Sequence, residues 1–163
     1  MSMPKQKPGA SKQDYGTPEA FIDAAQRKLG DGFVWDLAAN DSNAVAVGYF
    51  DEKANSLIQD WNAIQGWDGP CWLWLNPPFA NIRPWVKKCW EESQKGAKVA
   101  CLVPASVGAN WWAEYVDGKA HVLFLQGRLT FKGETTPYPK DCALLLYNHT
   151  YVGGYEVWNW RVE

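Results

Sequence analysis

The sequence predicts an α/β fold, a mostly parallel three-layer sheet with an antiparallel end, on three observations. Short apolar runs alternate with segments whose apolar residues recur at helical spacing. The joints between them carry Pro and Gly where helices start and stop. Two apolar runs, at about 121–125 and 142–147, flank a stretch with Gly127, Gly133, Pro137 and Pro139 but no helical period, which reads as a hairpin-like antiparallel end. With 163 residues the chain has the size of one ordinary domain and can bury a sizeable core. Residues 14–163 are read as that domain, with no internal repeat and no low-complexity tract.

Residues 1–13, rich in Lys, Pro, Gln and Ser, read as a disordered tail. Thr17-Pro18 reads as an N-cap followed by proline at the first helical position. Phe21, Ile22, Ala25 and Leu29 share a face and Gly30 stops it, so a helix is expected over about 18–29. Residues 33–40 read as an apolar strand that ends in an acid, Asp36, and then small residues; a second short strand is expected at Val45 to Phe50. A polar segment from Asp51 to Asp60 closes on Trp61. Residues 72–76 form the next strand, followed by a helix with Ile82, Trp85, Val86, Cys89 and Trp90 at helical spacing before Gly96. Lys98 to Val103 is again a strand, and Trp111, Trp112, Tyr115 and Val116 mark a short helix up to Gly118.

In open α/β sheets ligands bind beyond the C-terminal ends of the strands, and both Asp36 and Asn76 fall on that edge. Asn76-Pro77-Pro78-Phe79 there suits the handling of a planar amine. A residue before proline is pushed toward extended dihedrals and proline has no amide hydrogen, so the loop is rigid with free carbonyls. The Asn76 side-chain oxygen and the Pro77 carbonyl then accept from one exocyclic NH2 and aim its lone pair outward, while Phe79 stacks on the base. This is orientation and electrostatics rather than strong-base chemistry, and it requires a methyl donor. The plain alternative is that Asn-Pro-Pro ends a strand and starts a helix. Asp36 is suited to accepting from ligand hydroxyls or offsetting a cationic ligand; its plain alternative is a turn or capping residue.

A formal charge of −2 argues against a protein that coats nucleic acid by bulk electrostatics, so such binding falls to a local patch. The candidates are Arg83, Lys87, Lys88, Lys95 and Lys98, then Arg128, Lys132 and Lys140, although solvated helix faces look much the same. Four cysteines without a C-x-x-C pair read as core residues of a reduced cytosolic protein. Neither an export signal nor a membrane-spanning stretch is read. Two histidines, His121 and His149, make a metal site improbable, and G-x-G-x-x-G, the P-loop, G-x-S-x-G and the zinc-deaminase pattern are all missing.

Several blocks, in order, resemble the small phage and prophage DNA N6-adenine methyltransferases, the phage Dam family, over roughly residues 14–147. They are Tyr15-Gly16-Thr17-Pro18, Trp35-Asp36-Leu37-Ala38-Ala39 with Asn43-Ala44, Asp60-Trp61, Asn76-Pro77-Pro78-Phe79 with Trp85-Val86, Leu102-Val103-Pro104-Ala105, Trp112, and Gly127-Arg128-Leu129-Thr130-Phe131. The resemblance implies a Rossmann-like, S-adenosylmethionine-dependent methyltransferase fold, with Asn76, Pro77, Pro78 and Phe79 as the catalytic loop for a target adenine in DNA. By the same resemblance Tyr15, Thr17 and Pro18 look like the segment near the donor's methionine end. Asp36, Ala38 and Asn40 look like the first-strand cofactor loop, and Asp51 or Asp60 like the holder of the ribose hydroxyls. Arg83, Lys87, Trp112, Arg128 and Lys132 are the expected DNA contacts, in a monomer working in the cytoplasm of a host cell. Protection of phage DNA from host nucleases is the role the resemblance suggests.

Two departures stand out. The wider superfamily usually has glycines in the first-strand loop, where this chain has alanines, so the course of that loop is open. Only 40 positions separate Asp36 from Asn76, which leaves no room there for a target-recognition domain. Because the loop recognises an amine and not a ring, an N4-cytosine or RNA target stays open, and so does a non-catalytic nucleic-acid binder that uses its eleven tryptophans as stacking platforms. An adenine inside a duplex must be flipped out to be reached.

Overall fold

The computed structural model describes residues 15–64, 69, 71–151 and 153–162; the expected tail at 1–13 lies outside them. Seven strands among these residues form one sheet: β1 (Trp35–Asp36), β2 (Gly48–Tyr49), β3 (Trp72–Leu75), β4 (Lys98–Pro104), β5 (His121–Leu125), β6 (Cys142–Tyr147) and β7 (Tyr155–Trp158). Their order is β2-β1-β3-β4-β6-β5-β7. The pairs β1–β2, β1–β3, β3–β4 and β5–β7 are parallel, whereas β6 runs against both β4 and β5. Three helices accompany the sheet, α1 (Glu19–Leu29), α2 (Arg83–Gln94) and α3 (Asn110–Tyr115). This is the mostly parallel α/β sheet that the sequence predicts, with its antiparallel part at β6.

Strand alternation builds the two cores. Trp72, Trp74, Ala100, Leu102, Leu123 and Leu144 face one side, where they meet Phe21, Ile22 and Ala25 of α1. Leu73, Leu75, Val99, Cys101, Val103 and Leu145 face the other, against Val86 and Cys89 of α2 and Val116 after α3. A sheet covered on both faces needs apolar side chains at every position, which is why these strands read as unbroken apolar runs. All four cysteines are buried. Among the described residues no helix is long and apolar enough to cross a membrane.

The first two strands are shorter than the sequence suggests. The ladder does extend past β1, since Val34 N–H donates to the Trp72 carbonyl (3.3 Å) and Leu37 N–H to that of Trp74 (2.8 Å). Turns at 40–44 then pull the chain off the sheet before it returns at β2. Gly48 is required there because the Trp35 ring lies over it: a Cβ would sit 2.1 Å from ring carbons. The polar segment closes as expected, with Trp61 buried and its indole N–H donating to the Ser56 carbonyl at 3.0 Å.

Helix α1 begins one residue later than expected. Pro18 occupies the cap position with extended ψ of 137°, and no side chain caps the helix. The helix after β3 and the strands at 121–125 and 142–147 form where the periodicity places them. Strand β7 has no counterpart in the sequence reading; it adds a parallel edge beside β5, with Tyr155 and Val157 exposed.

Candidate active site

The chain runs from β1 outward to β2 and then crosses back to β3 on the other side of β1, so a topological switch point lies between β1 and β3. Crevices form at such points beyond the strand ends. A cleft of about 570 Å³ opens there, lined by Tyr15, residues 37–40, Asn43, Phe50, Asp51, Glu52, Asn55, Ser56, Asn76, Pro78 and Trp85.

Asp36 shapes one wall without facing the cleft. It is 2% exposed, and its two carboxylate oxygens accept from Ala38 N–H (3.2 Å) and Val45 N–H (3.1 Å), which gathers the loop after β1. Burial pushes its pKa up to about 7, against the pull of those two backbone donors. Asn40 and Asn43 lock the turn: the Asn40 side-chain oxygen accepts from Ser42 N–H (2.9 Å) and Asn43 N–H (3.1 Å), and Asn40 N–H donates to Asn43 Oδ1 at 2.8 Å. Alanines suffice in this loop because neither Ala38 nor Ala39 has positive φ. The non-glycine residue among those described that does is Asn55, at 54°, which also lines the cleft. Local strain of this kind gathers where a loop is held for function.

Asn76 follows β3 at the end of the strand. Its Nδ2 donates to the Tyr15 carbonyl at 3.1 Å and to Thr17 Oγ1 at 3.2 Å. A carbonyl can only accept, so the amide nitrogen must face Tyr15 and the oxygen must face away. That oxygen is buried and has no hydrogen-bond partner among the described residues. An unmet buried acceptor is costly, about 1–3 kcal/mol, and calls for a reason.

Aromatic rings gather over the same loop. Phe79 lies 5.9 Å from Tyr15, 6.2 Å from Phe131 and 5.5 Å from Tyr138 between ring centroids, and Tyr15 stacks on Phe131 at 4.8 Å. Burial raises the Tyr138 phenol to about 12, so it remains a neutral donor. Phe131 and Tyr138 come from the segment between β5 and β6, whose Tyr138 N–H donates to the Leu129 carbonyl at 2.7 Å.

The structure brings Tyr15, Ala38, Asn40, Asp51, Asn76 and Pro78 to the cleft. Thr17 reaches it through Asn76. Pro77 is buried beneath the loop, Phe79 sits among the rings, and Pro18 offers its carbonyl to Phe21 and Ile22 at the start of α1. Asp60 does not line the cleft: its side chain accepts from Asn62 N–H at 3.0 Å and caps a single 3₁₀ turn, Trp61–Ala63. Of the two acids left open by the sequence, Asp51 is the one at the cleft, joined by Glu52. Sequence reasoning missed Phe50, Glu52 and Asn55 and gave Trp85 no role. The signal for the acids was their place just past a strand's C-terminal end.

Among the expected DNA contacts, Trp112 is corrected. It is 6% exposed and its ring stacks on Phe124 (6.1 Å, 15°), which makes it a core residue with no free face for a base. The cations are exposed and lightly held: Arg83 to Glu114 at 2.8 Å, Lys87 to Glu91 at 3.8 Å, Arg128 to Asp141 at 3.8 Å and Lys132 to Glu19 at 3.5 Å. Surface pairs of this kind contribute about 0–1 kcal/mol. Among the described residues no group of three or more His, Cys, Asp or Glu is placed to hold a metal ion.

Comparison with known proteins adds two findings. The sequence model of one family, described as DNA N-6-adenine-methyltransferase (Dam), matches residues 5–157. A curated protein of Escherichia phage T1, named DNA N-6-adenine-methyltransferase, is 25% identical over 137 residues, covering 84% of this chain. The chain spans about half, 55%, of the length of that relative.

Proposed function

The chain belongs to the DNA N-6-adenine-methyltransferase (Dam) family, and from that premise we propose that it transfers a methyl group from S-adenosylmethionine to the N6 amine of adenine in DNA. The observation that carries the reading is the Asn76 amide: its nitrogen is clamped by Tyr15 and Thr17, and its oxygen is an acceptor with no partner among the described residues, beside a cleft at the switch point. An exocyclic amine is the donor that such an acceptor lacks.

The cleft suits the donor molecule. Its volume lies in the usual range for small-ligand sites, roughly 300–1,000 Å³. Asp51 and Glu52 would hold the ribose hydroxyls, Phe50 and Trp85 would flank the adenine ring, and the small residues Ala38 and Ala39 would let backbone approach the ligand. When bound, S-adenosylmethionine supplies an electrophilic methyl on a sulfonium.

What remains for the chain is to hold the amine. A target adenine flipped from the duplex stacks on Phe79 and donates one N6 hydrogen to Asn76 Oδ1, which turns the nitrogen lone pair toward the cleft. Pro77 and Pro78 stiffen the loop, so little reorganisation is needed when charge develops on the nitrogen. The ring cluster of Tyr15, Phe131 and Tyr138 excludes water around the base.

The experiment is methyl transfer from labelled S-adenosylmethionine to unmethylated duplex DNA, followed by digestion to nucleosides. Label in N6-methyladenine is the expected result. Label in N4-methylcytosine, or transfer to RNA alone, would move the reading to another amine. Neither transfer nor cofactor binding would overturn it in favour of a non-catalytic nucleic-acid binder.

A further inference from the structure

We infer that Thr17 is a positioning residue for the Asn76 amide, fixing which end of that amide meets the substrate; the inference rests on the proposed function. A primary amide has two ends of nearly equal shape, so turning it over costs little sterically but exchanges an acceptor for a donor. Turned over, Asn76 would present N–H to an amine, donor against donor. Two contacts oppose that state. The Tyr15 carbonyl at 3.1 Å repels an oxygen and sets the polarity, and Thr17 Oγ1 at 3.2 Å takes the second N–H, so neither amide hydrogen is left to offer elsewhere.

A second observation points the same way. Thr17-Pro18 has the sequence of a helix cap, yet Pro18 takes the cap position and Thr17 stands one residue before it. A threonine at the cap itself would bond the first turn of its own helix. Here the hydroxyl is instead directed to a residue 59 positions later in the chain, and Thr17 is 4% exposed. The helix start and the strand end are thereby joined through one hydroxyl, which explains a buried polar side chain that the helix itself does not use. A residue that met the ligand directly would place its hydroxyl on the cleft, and Thr17 does not line it.

Thr17→Val keeps the branched shape and removes the acceptor, while Thr17→Ser keeps the acceptor. Thr17→Val is expected to lower kcat about tenfold, the effect of one lost neutral hydrogen bond. Cofactor affinity and KM for DNA should stay within about twofold, and Thr17→Ser should recover most of the loss. A second readout does not need turnover: the Asn76 side-chain NH2 pair in a ¹⁵N–¹H spectrum, assigned by its loss in Asn76→Ala, should exchange slowly with water in the unmodified protein and faster in Thr17→Val. That result supports the positioning role even where the DNA reading fails. Weaker cofactor binding with unchanged kcat, or an NH2 pair equally protected in Thr17→Val, would overturn the inference. Should Thr17→Val not fold, Thr17→Ala against Thr17→Ser makes the same two comparisons.

Discussion

Asp36 and Asn76 stand at the ends of neighbouring strands, and their polar atoms are used in opposite ways. Both oxygens of Asp36 are engaged by backbone N–H groups, whereas the Asn76 oxygen has no partner among the described residues. Asp36 therefore acts on the cleft through the loop it gathers. Its folded pKa, about 7, lies above the ordinary carboxyl value of 3.8, so the folded state keeps a proton that the unfolded state gives up. Stability from this group is complete below about pH 4, falls as pH rises to about 7 and is level beyond. The loss is on the order of 4 kcal/mol. A melting midpoint that falls across that window in the unmodified protein and stays flatter in Asp36→Asn is the expected outcome. Parallel profiles would show that Asp36 is not the group responsible. The role of Asp36 at the end of an apolar strand was visible in the sequence only as a choice between ligand contact and turn residue. Its two backbone partners, Ala38 and Val45, tie it into the loop, and one of them is nine positions away.

Among the elements, those with a long periodic pattern were readable and those held by tertiary contacts were not. Helix α2 and strands β5 and β6 follow from apolar spacing, because each buries a whole face or both faces. Strands β1 and β2 have two residues each and depend on neighbours: β1 on β3, and β2 on the room that Gly48 leaves for the Trp35 ring. Strand β7 has two exposed apolar residues and a single sheet neighbour, so its pattern carried no signal of burial. Trp112 was misassigned because a tryptophan at a helix start looks alike whether it faces DNA or Phe124. The Gly48 contact gives a direct test. Gly48→Ala places a methyl inside the Trp35 ring's space and should destabilise by about 1–3 kcal/mol, the usual cost of overpacking. Since Trp35 packs on Phe50 (5.3 Å), which lines the cleft, cofactor affinity measured by calorimetry should fall as well. An unchanged melting midpoint would mean that the Trp35 ring moves aside at no cost.

At the scale of the whole molecule, the proposed function combined with a net charge of −2 and a few lightly paired cations would confine DNA contact to a small footprint. Each phosphate contact contributes about −0.9 to the slope of log affinity against log salt, so Arg83, Lys87, Arg128 and Lys132 together give a slope of roughly −4. Replacing Arg128 and Lys132 by alanine should reduce its magnitude by about 2 without changing cofactor affinity. An unchanged slope would place the DNA elsewhere. The cleft's position was readable from the alternation of strands and helices and the Asn76 loop, and Asp51 was readable as one of two candidate acids, whereas Glu52 and Asn55 were not, because they lie in a turn with no periodic signature. The central claim is that Asn76 holds the amine while the cleft holds the methyl donor. Single-turnover methyl transfer by the unmodified protein and by Asn76→Ala, with cofactor affinity measured on both, tests it most directly. A rate lower by at least about 10²-fold in Asn76→Ala, with cofactor affinity and melting midpoint unchanged, is the expected result. An Asn76→Ala protein that transfers methyl at the unmodified rate would contradict the account.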